Sequence, residues 1–263
     1  MPEKQDGIGF KIIALAVYAF MAAPIVIVVL ASFSPTSFLA FPPKGLSLKW
    51  YYNIFDDNGF VSGFFNSMFL ASVATAIDVM IAIPAAIAVT KYHFPGKTAL
   101  TNFFTSPMFL PTVTFGFVLL QAFSAVRGVP TFYRLLAGHL IIILPYIFRN
   151  VVSVMIGFNW TLEEAAQSLG ARPLQTFRRV TLPLIKPGIM AGGLLAFLYS
   201  LDDATVSAFI SDHRFVTLPI RMMTYMEFSF DPTLAAISTV LIALSLGAIV
   251  LMERFVGLNI FLK

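Results

Sequence analysis

Apolar residues fall into six long runs, at roughly 11–32, 64–90, 103–126, 136–157, 188–211 and 234–256. Each is close to the about 20 residues that a helix needs to cross a hydrocarbon layer. Pro24, Pro84, Pro111 and Pro145 lie inside these runs. Neighbouring helices in a membrane can re-satisfy the carbonyls that proline frees, so kinked spans are predicted rather than interruptions. The expected architecture is an all-α membrane protein of six transmembrane helices, one domain over residues 1–263. The first run, Ile12 to Ala31, is too long for the apolar core of a signal peptide, and Ser32-Phe33-Ser34-Pro35 follows it. It is read as a retained span.

Composition agrees. Of 263 residues, 58% are hydrophobic and 11% charged, and the mean hydropathy is +0.86, which a soluble domain of this length could not sustain. The net charge of +4 is dispersed, with no basic run suited to a nucleic-acid groove. Cysteine is absent, which excludes disulfides, thiolate metal sites and a cysteine nucleophile.

Six spans put both termini on one side. That side would hold Lys4, Lys11, Lys91, Lys97, Arg172, Arg178, Arg179, Lys186, Arg254 and Lys263; the other, Lys44, Lys49, Arg127, Arg134, Arg214 and Arg221. The excess places the termini and the polar loop 158–187 in the cytoplasm. The outer segment 33–63, with Pro35, Pro42, Pro43 and Trp50-Tyr51-Tyr52, suits an interfacial stretch with aromatic anchors.

The 158–187 loop carries its own helix signals. Thr161-Leu162-Glu163-Glu164 fits a capping box, Ala165, Ala166, Gln167 and Leu169 extend a short helix, and Gly170 is placed to end it in the left-handed conformation. A second helix would open at Pro173 and end at Arg178 and Arg179, with Pro183 closing the element and Pro187 opening the next span. The result would be a compact knob at the membrane surface. A well-capped connector is the plainer alternative.

Carboxylates inside apolar runs are costly and should face a cavity or a partner helix. Asp202 and Asp203 lie about 22 Å into the fifth run by helical rise, in the outer half of the bilayer. Helical spacing puts Ser200, Asp203 and Ser207 on one face and turns Asp202 away, which favours Asp203 for a path that passes an ammonium group. A buried carboxylate that merely ties helices together is the alternative. Asp78 fits helix packing, and His139 fits an interface hydrogen bond because no further ligand stands at metal-site spacing. Tyr18, Tyr146, Tyr199 and Tyr225 offer cation–π surface. Two motifs are decoys. Gly96-Lys97-Thr98 ends like a phosphate loop, but Lys91 replaces its first glycine; Asn159-Trp160-Thr161 matches a glycosylation acceptor on the cytoplasmic face.

Glu164-Ala165-Ala166, then Gly170, Val180 and Leu182-Pro183, resemble the cytoplasmic signature loop of permease subunits in bacterial ATP-binding-cassette importers. Further matches cover essentially the whole chain. Ser47-Leu48-Lys49-Trp50-Tyr51, Asn66-Ser67, Gly138-His139, Leu144-Pro145-Tyr146, Ser200 with Asp202-Asp203, and Thr217-Leu218-Pro219 are similar to the second permease subunit of spermidine/putrescine importers. Asp78 and Ala204-Thr205-Val206-Ser207 depart from that pattern. The resemblance implies the fold of type I importer permeases and an inner-membrane subunit of a polyamine importer. It implies ATPase coupling through Glu163, Glu164, Ala165, Ala166, Leu169, Gly170, Leu182 and Pro183; the residues themselves, polar or aromatic within the apolar runs, make Ser200, Asp202, Asp203, Ser207, Asp78 and Tyr199 the candidates for a substrate path. The resemblance further implies a homologous permease partner, two ATPase subunits that hold ATP and magnesium, and an external solute-binding protein. No cofactor, metal, catalytic residue or nucleic acid is expected on this chain. Other solutes for the same machine (an amino acid derivative, an aminophosphonate, thiamine or ferric ion) stay open, as does a stand-alone proton-coupled transporter.

Overall fold

A computed structural model describes residues 8–38, 45–126, 128–229 and 231–256. Lys4, Pro42, Pro43, Lys44, Arg127 and Lys263, used above for topology, lie outside the described residues. Among the described residues the regular structure is helical.

Contacts divide the chain into two compact units, residues 1–61 with 222–244, and residues 62–221 with 245–263. The first contains α1 (Ile8–Ser32), α2 (Lys49–Asp56) and the start of α12 (Thr233–Val256). Apolar side chains such as Phe10, Leu15, Phe20 and Ile25 stand exposed along α1, as a helix immersed in lipid or covered by a partner requires. The expected aromatic belt near position 50 is corrected. Trp50 is buried and its indole N–H donates to the Ser34 carbonyl at 2.7 Å, Tyr51 pairs with Ser32 at 2.7 Å, and only Tyr52 is exposed. These bonds fold the segment back onto the end of α1.

The second unit is built around α6 (Thr131–Ile156) and α9 (Leu182–Asp202). Small residues set their approach. A Cβ on Gly192 would stand 2.8 Å from Ile147 Cα, and one on Gly188 would stand 2.8 Å from the Asn150 carbonyl oxygen. Most of α3 (Asn58–Lys91) also belongs here, with a buried stripe of Ser67, Leu70, Ala74, Asp78, Ala82, Ala86 and Val89 at three- and four-residue spacing.

Five of the six expected spans are single long apolar helical stretches. The third is different. α4 (Lys97–Thr105) and a 3₁₀ turn to Phe109 meet α5 (Thr112–Ser124) at a bend of 103°. Leu110, which precedes Pro111, is extended, the conformation that the proline ring imposes on its neighbour. The fifth run is corrected at both ends. The helical stretch starts at Pro173, passes through α8 (Pro173–Thr176) and a π turn at Phe177–Thr181, and stops at Asp202; a separate short α10 (Thr205–Ile210) follows. Arg178 and Arg179 therefore do not end a helix, Pro183 sits in the first turn of α9, and Pro187 lies inside it.

Substituting Gly192 by alanine should destabilise the protein by about 1–3 kcal/mol through forced separation of α6 and α9. A thermal melt of the detergent-solubilised protein reads this as a lower Tm. An unchanged Tm would show that the helices separate freely.

Candidate functional site

The polar loop folds into a knob. α6 ends at Ile156, the Phe158 and Trp160 rings meet at 4.5 Å, and α7 spans Thr161–Ser168. The expected capping box is absent. Asn159 supplies the start instead, its Oδ1 accepting from the Thr161 N–H at 3.1 Å and the Thr161 hydroxyl at 2.6 Å. An Asx-type turn outcompetes the box because Asn159 reaches the free backbone donor first.

The C-terminal signal reads correctly. Gly170 has φ +87°, its N–H donates to the Gln167 carbonyl, and the Ala171 N–H donates to the Ala166 carbonyl, a Schellman closure. The chain then turns into α8, where the Arg172 N–H donates to Gln175 Oε1 at 2.9 Å and Pro173 opens the helix.

The two acids of the loop face opposite ways. Glu164 is exposed beside Leu162, Ala165 and Leu169, the last 90% exposed. Glu163 is buried; Lys91 Nζ at the end of α3 donates to its Oε2, and the Thr181 hydroxyl in the π turn donates to its Oε1. Ala166, Leu169, Gly170, Thr176, Arg179 and Val180 line a hollow of about 390 Å³ beside the helix. Leu182 is half-buried and Pro183 exposed where α9 begins.

A second polar centre lies at the break between α9 and α10. The Asp203 carboxylate accepts from the Val206 N–H at 3.3 Å, the Ser207 N–H at 2.9 Å and the Ser207 hydroxyl at 3.1 Å. The Ser207 hydroxyl, having given its proton to Asp203, accepts from His139 Nε2 at 3.2 Å, and His139 Nδ1 accepts from the Ser200 hydroxyl at 2.7 Å. These roles place the imidazole proton on Nε2. Ser200, Asp203 and Ser207 do converge, but around His139 and across a helix break rather than along one open face. All four are buried.

The two carboxylates differ in exposure, since the helix break interrupts the single face expected for Ser200, Asp203 and Ser207. Asp203 is committed to the first turn of α10, whereas Asp202 is exposed. Asp202 stands three residues after Tyr199 on α9, and the half-buried Tyr199 ring meets Tyr146 at 5.0 Å. Asp78 is buried in the α3 stripe, and neither carboxyl oxygen has a hydrogen-bond partner.

Sequence reasoning missed a third cluster. Thr131 and Arg134 at the start of α6 both donate to Asp212 Oδ2, Arg134 at 3.1 Å, and the Arg214 N–H donates to Oδ1 at 2.9 Å. The Thr131 hydroxyl, with the Arg214 amide and the Arg134 charge, holds the Asp212 carboxyl below its ordinary range. This tie on loop 211–217 is thus present above the usual aspartate pKa and weakens as pH falls through the depressed value. Arg134, Arg214, Phe132 and Phe215 border a hollow of about 540 Å³ there. Among the described residues no three His, Asp or Glu side chains gather as metal ligands do.

Long apolar helices joined by a single elaborated polar loop define a membrane-spanning subunit. The chain belongs to the family of binding-protein-dependent transport system inner membrane components, whose model matches residues 78–258. It is a multi-pass inner-membrane permease of a binding-protein-dependent ATP-binding-cassette importer, a transport subunit. It is 32% identical over 243 residues to the spermidine/putrescine transport system permease protein PotC of Haemophilus influenzae, covering 92% of this chain and 94% of that protein. The putrescine transport system permease protein PotI of Escherichia coli is 31% identical, with 88% of this chain and 84% of that protein covered. A bacterial transporter that imports alginate shares the fold, with a TM-score of 0.68 at 16% identity over 98% of this chain and 99% of that chain. The MetNI methionine transporter gives 0.61 at 17% identity over 75% and 94%.

Replacing Gly170 by alanine keeps open space, since nothing lies within 4 Å of the new Cβ, but forces a left-handed residue at a cost of about 1–2 kcal/mol. Amide hydrogen exchange across 161–171 should accelerate several-fold while α6 and α9 keep their protection. Unchanged exchange would mean that the Schellman closure does not hold α7.

Proposed function

We propose that this chain is one half of the translocation path of an ATP-driven polyamine importer. The carrying observation is its identity of 28–32% to spermidine and putrescine permeases over about nine-tenths of its length. In this reading it pairs with a homologous permease, the knob faces the cytoplasm with both termini, and two separate ATPase subunits hold ATP and magnesium. An external solute-binding protein delivers the substrate.

The exposed face of α7, with Glu164, Ala165, Leu169 and the turn at Gly170, docks in a groove of the ATPase, and Ala166, Leu182 and Pro183 support it from behind. ATPase closure then displaces the knob and opens the path outward. Along the path Asp202 offers a free carboxylate and Tyr199 an aromatic edge to an alkylammonium group, the pairing that charge and cation–π attraction favour. Ser200, Asp203 and Ser207 hold the helix break that presents Asp202. Asp78 stays in helix packing.

The test is uptake of labelled putrescine and spermidine in cells lacking their own polyamine importers, with this chain expressed alongside its genomic neighbours. Uptake should require the ATPase. Asp202→Asn should raise KM by about ten-fold or more, the size of a lost charged contact. Glu164→Ala should lower the maximal rate with KM retained. An assembled, ATP-hydrolysing complex that moves neither polyamine would overturn the substrate reading and leave the permease assignment standing.

A further inference from the structure

A helix that docks outward on a motor is useful only if its displacement reaches the membrane helices behind it. α7 is attached along the chain by two short links, residues 157–160 and 169–172, each containing a glycine. The first link is itself anchored by Phe158 and Trp160, which pack against the core, and the second carries no such anchor. Within α7 the buried side chain is Glu163. It lies on the inner face, and each of its oxygens is taken, one by Lys91 at the end of α3 and the other by Thr181. Lys91 also sits 5.2 Å from the Trp160 ring centre, just before α7 begins, and 5.7 Å from that of Tyr92. Thr181 closes the π turn that leads into α9, and single π turns inside helices are frequent at functional sites.

We propose that Glu163 is a positioning residue that carries motion of the docking helix into α3 and α9 at once, through Lys91 and Thr181. Three features support this role over ordinary loop stability. The ligature joins α7 to the π turn 18 residues on and to the end of α3, 72 residues back. Each carboxylate oxygen has one partner, so loss of either partner leaves one buried oxygen unmatched. It also lies on the face opposite the exposed residues Leu162, Glu164 and Leu169, so it can serve the relay without touching the motor.

The inference rests on the importer reading, and its test separates the two. The whole complex, with its ATPases and binding protein, is reconstituted in liposomes, and ATP hydrolysed per polyamine imported is measured. The variants are Lys91→Met, Glu163→Gln, Thr181→Val and the exchange Lys91→Glu with Glu163→Lys. Each single variant should raise that ratio by about two- to thirty-fold, the range of a damaged coupling network. The exchange should bring it back toward wild type. Single variants that transport as tightly coupled as wild type would overturn the proposal, as would an exchange no better than its components. If the single variants cannot retain the ATPases, co-purification becomes the readout, and failure of the exchange to restore it overturns the proposal equally. A wild-type complex that hydrolyses ATP without importing polyamine would sink the substrate reading alone. The relay is then judged by binding-protein stimulation of hydrolysis, which should fall in the single variants and return in the exchange.

Discussion

The structure depends on one constraint: a chain in hydrocarbon must satisfy its polar groups from within. No water waits in the bilayer core to accept a stray donor, so a buried polar side chain without a neighbour in the fold is costly, and Asp78, whose carboxyl oxygens have none, is the exception among the otherwise paired buried acids of the described residues. The simple cases turn back on their own helix. Thr90 donates to the Ala86 carbonyl, Thr239 to Ala235, and Asn150 to the Tyr146 carbonyl just after Pro145. The harder case is the end of α9, where the helix stops at Asp202 and the first donors of α10 stand free. Asp203 takes those donors, and the Ser207–His139–Ser200 chain binds the junction to α6. A break in a membrane helix survives here because four buried side chains close its hydrogen bonds. Gly138 contributes by absence, since a Cβ there would press on Val206 and Ile210 at 3.1 and 3.3 Å.

Most of the fold was legible because hydrophobic run length is a strong signal. Five spans followed from it, and Gly170 followed from the need for a left-handed residue after α7. The third span was hidden because both of its arms are apolar. Hydropathy registers depth in lipid and not direction, so the 103° bend at Leu110-Pro111 left no trace in the pattern beyond the proline itself. The start of the fifth span was hidden for the opposite reason. Arg178, Arg179 and Lys186 look like the edge of a loop, yet backbone bonding runs through them without interruption.

The candidate site was less legible, and its errors share a cause. Sequence spacing reports what is near along a helix but not what lies across from it. Thr161 to Glu164 has the spacing of a capping box, but Asn159 is two residues from the same donor and wins. Glu163 and Glu164 are adjacent and chemically identical, and only the positions of Lys91 and Thr181, 72 and 18 residues away, make one inward and the other outward. Asp202 and Asp203 repeat the lesson. An ideal helix would have aimed Asp203 at the path, but the helix ends between them.

That last distinction bears on how much selectivity this chain can carry. A carboxylate already accepting two backbone N–H groups and a hydroxyl can bind a passing cation only by releasing them, which would uncap α10 and orphan donors in a low dielectric. Asp203 is therefore fixed in its structural role by the same bonds that allow the helix to break. A transport path, moreover, has to bind weakly enough for its cargo to leave. In the path proposed above, the exposed carboxylate of Asp202 would meet that condition, because no element of the fold depends on its bonds. One loosely held charge with an aromatic neighbour distinguishes cations from neutral solutes, but it offers little by which to tell one amine length from another. In the importer proposed here, discrimination among polyamines thus falls to the external binding protein.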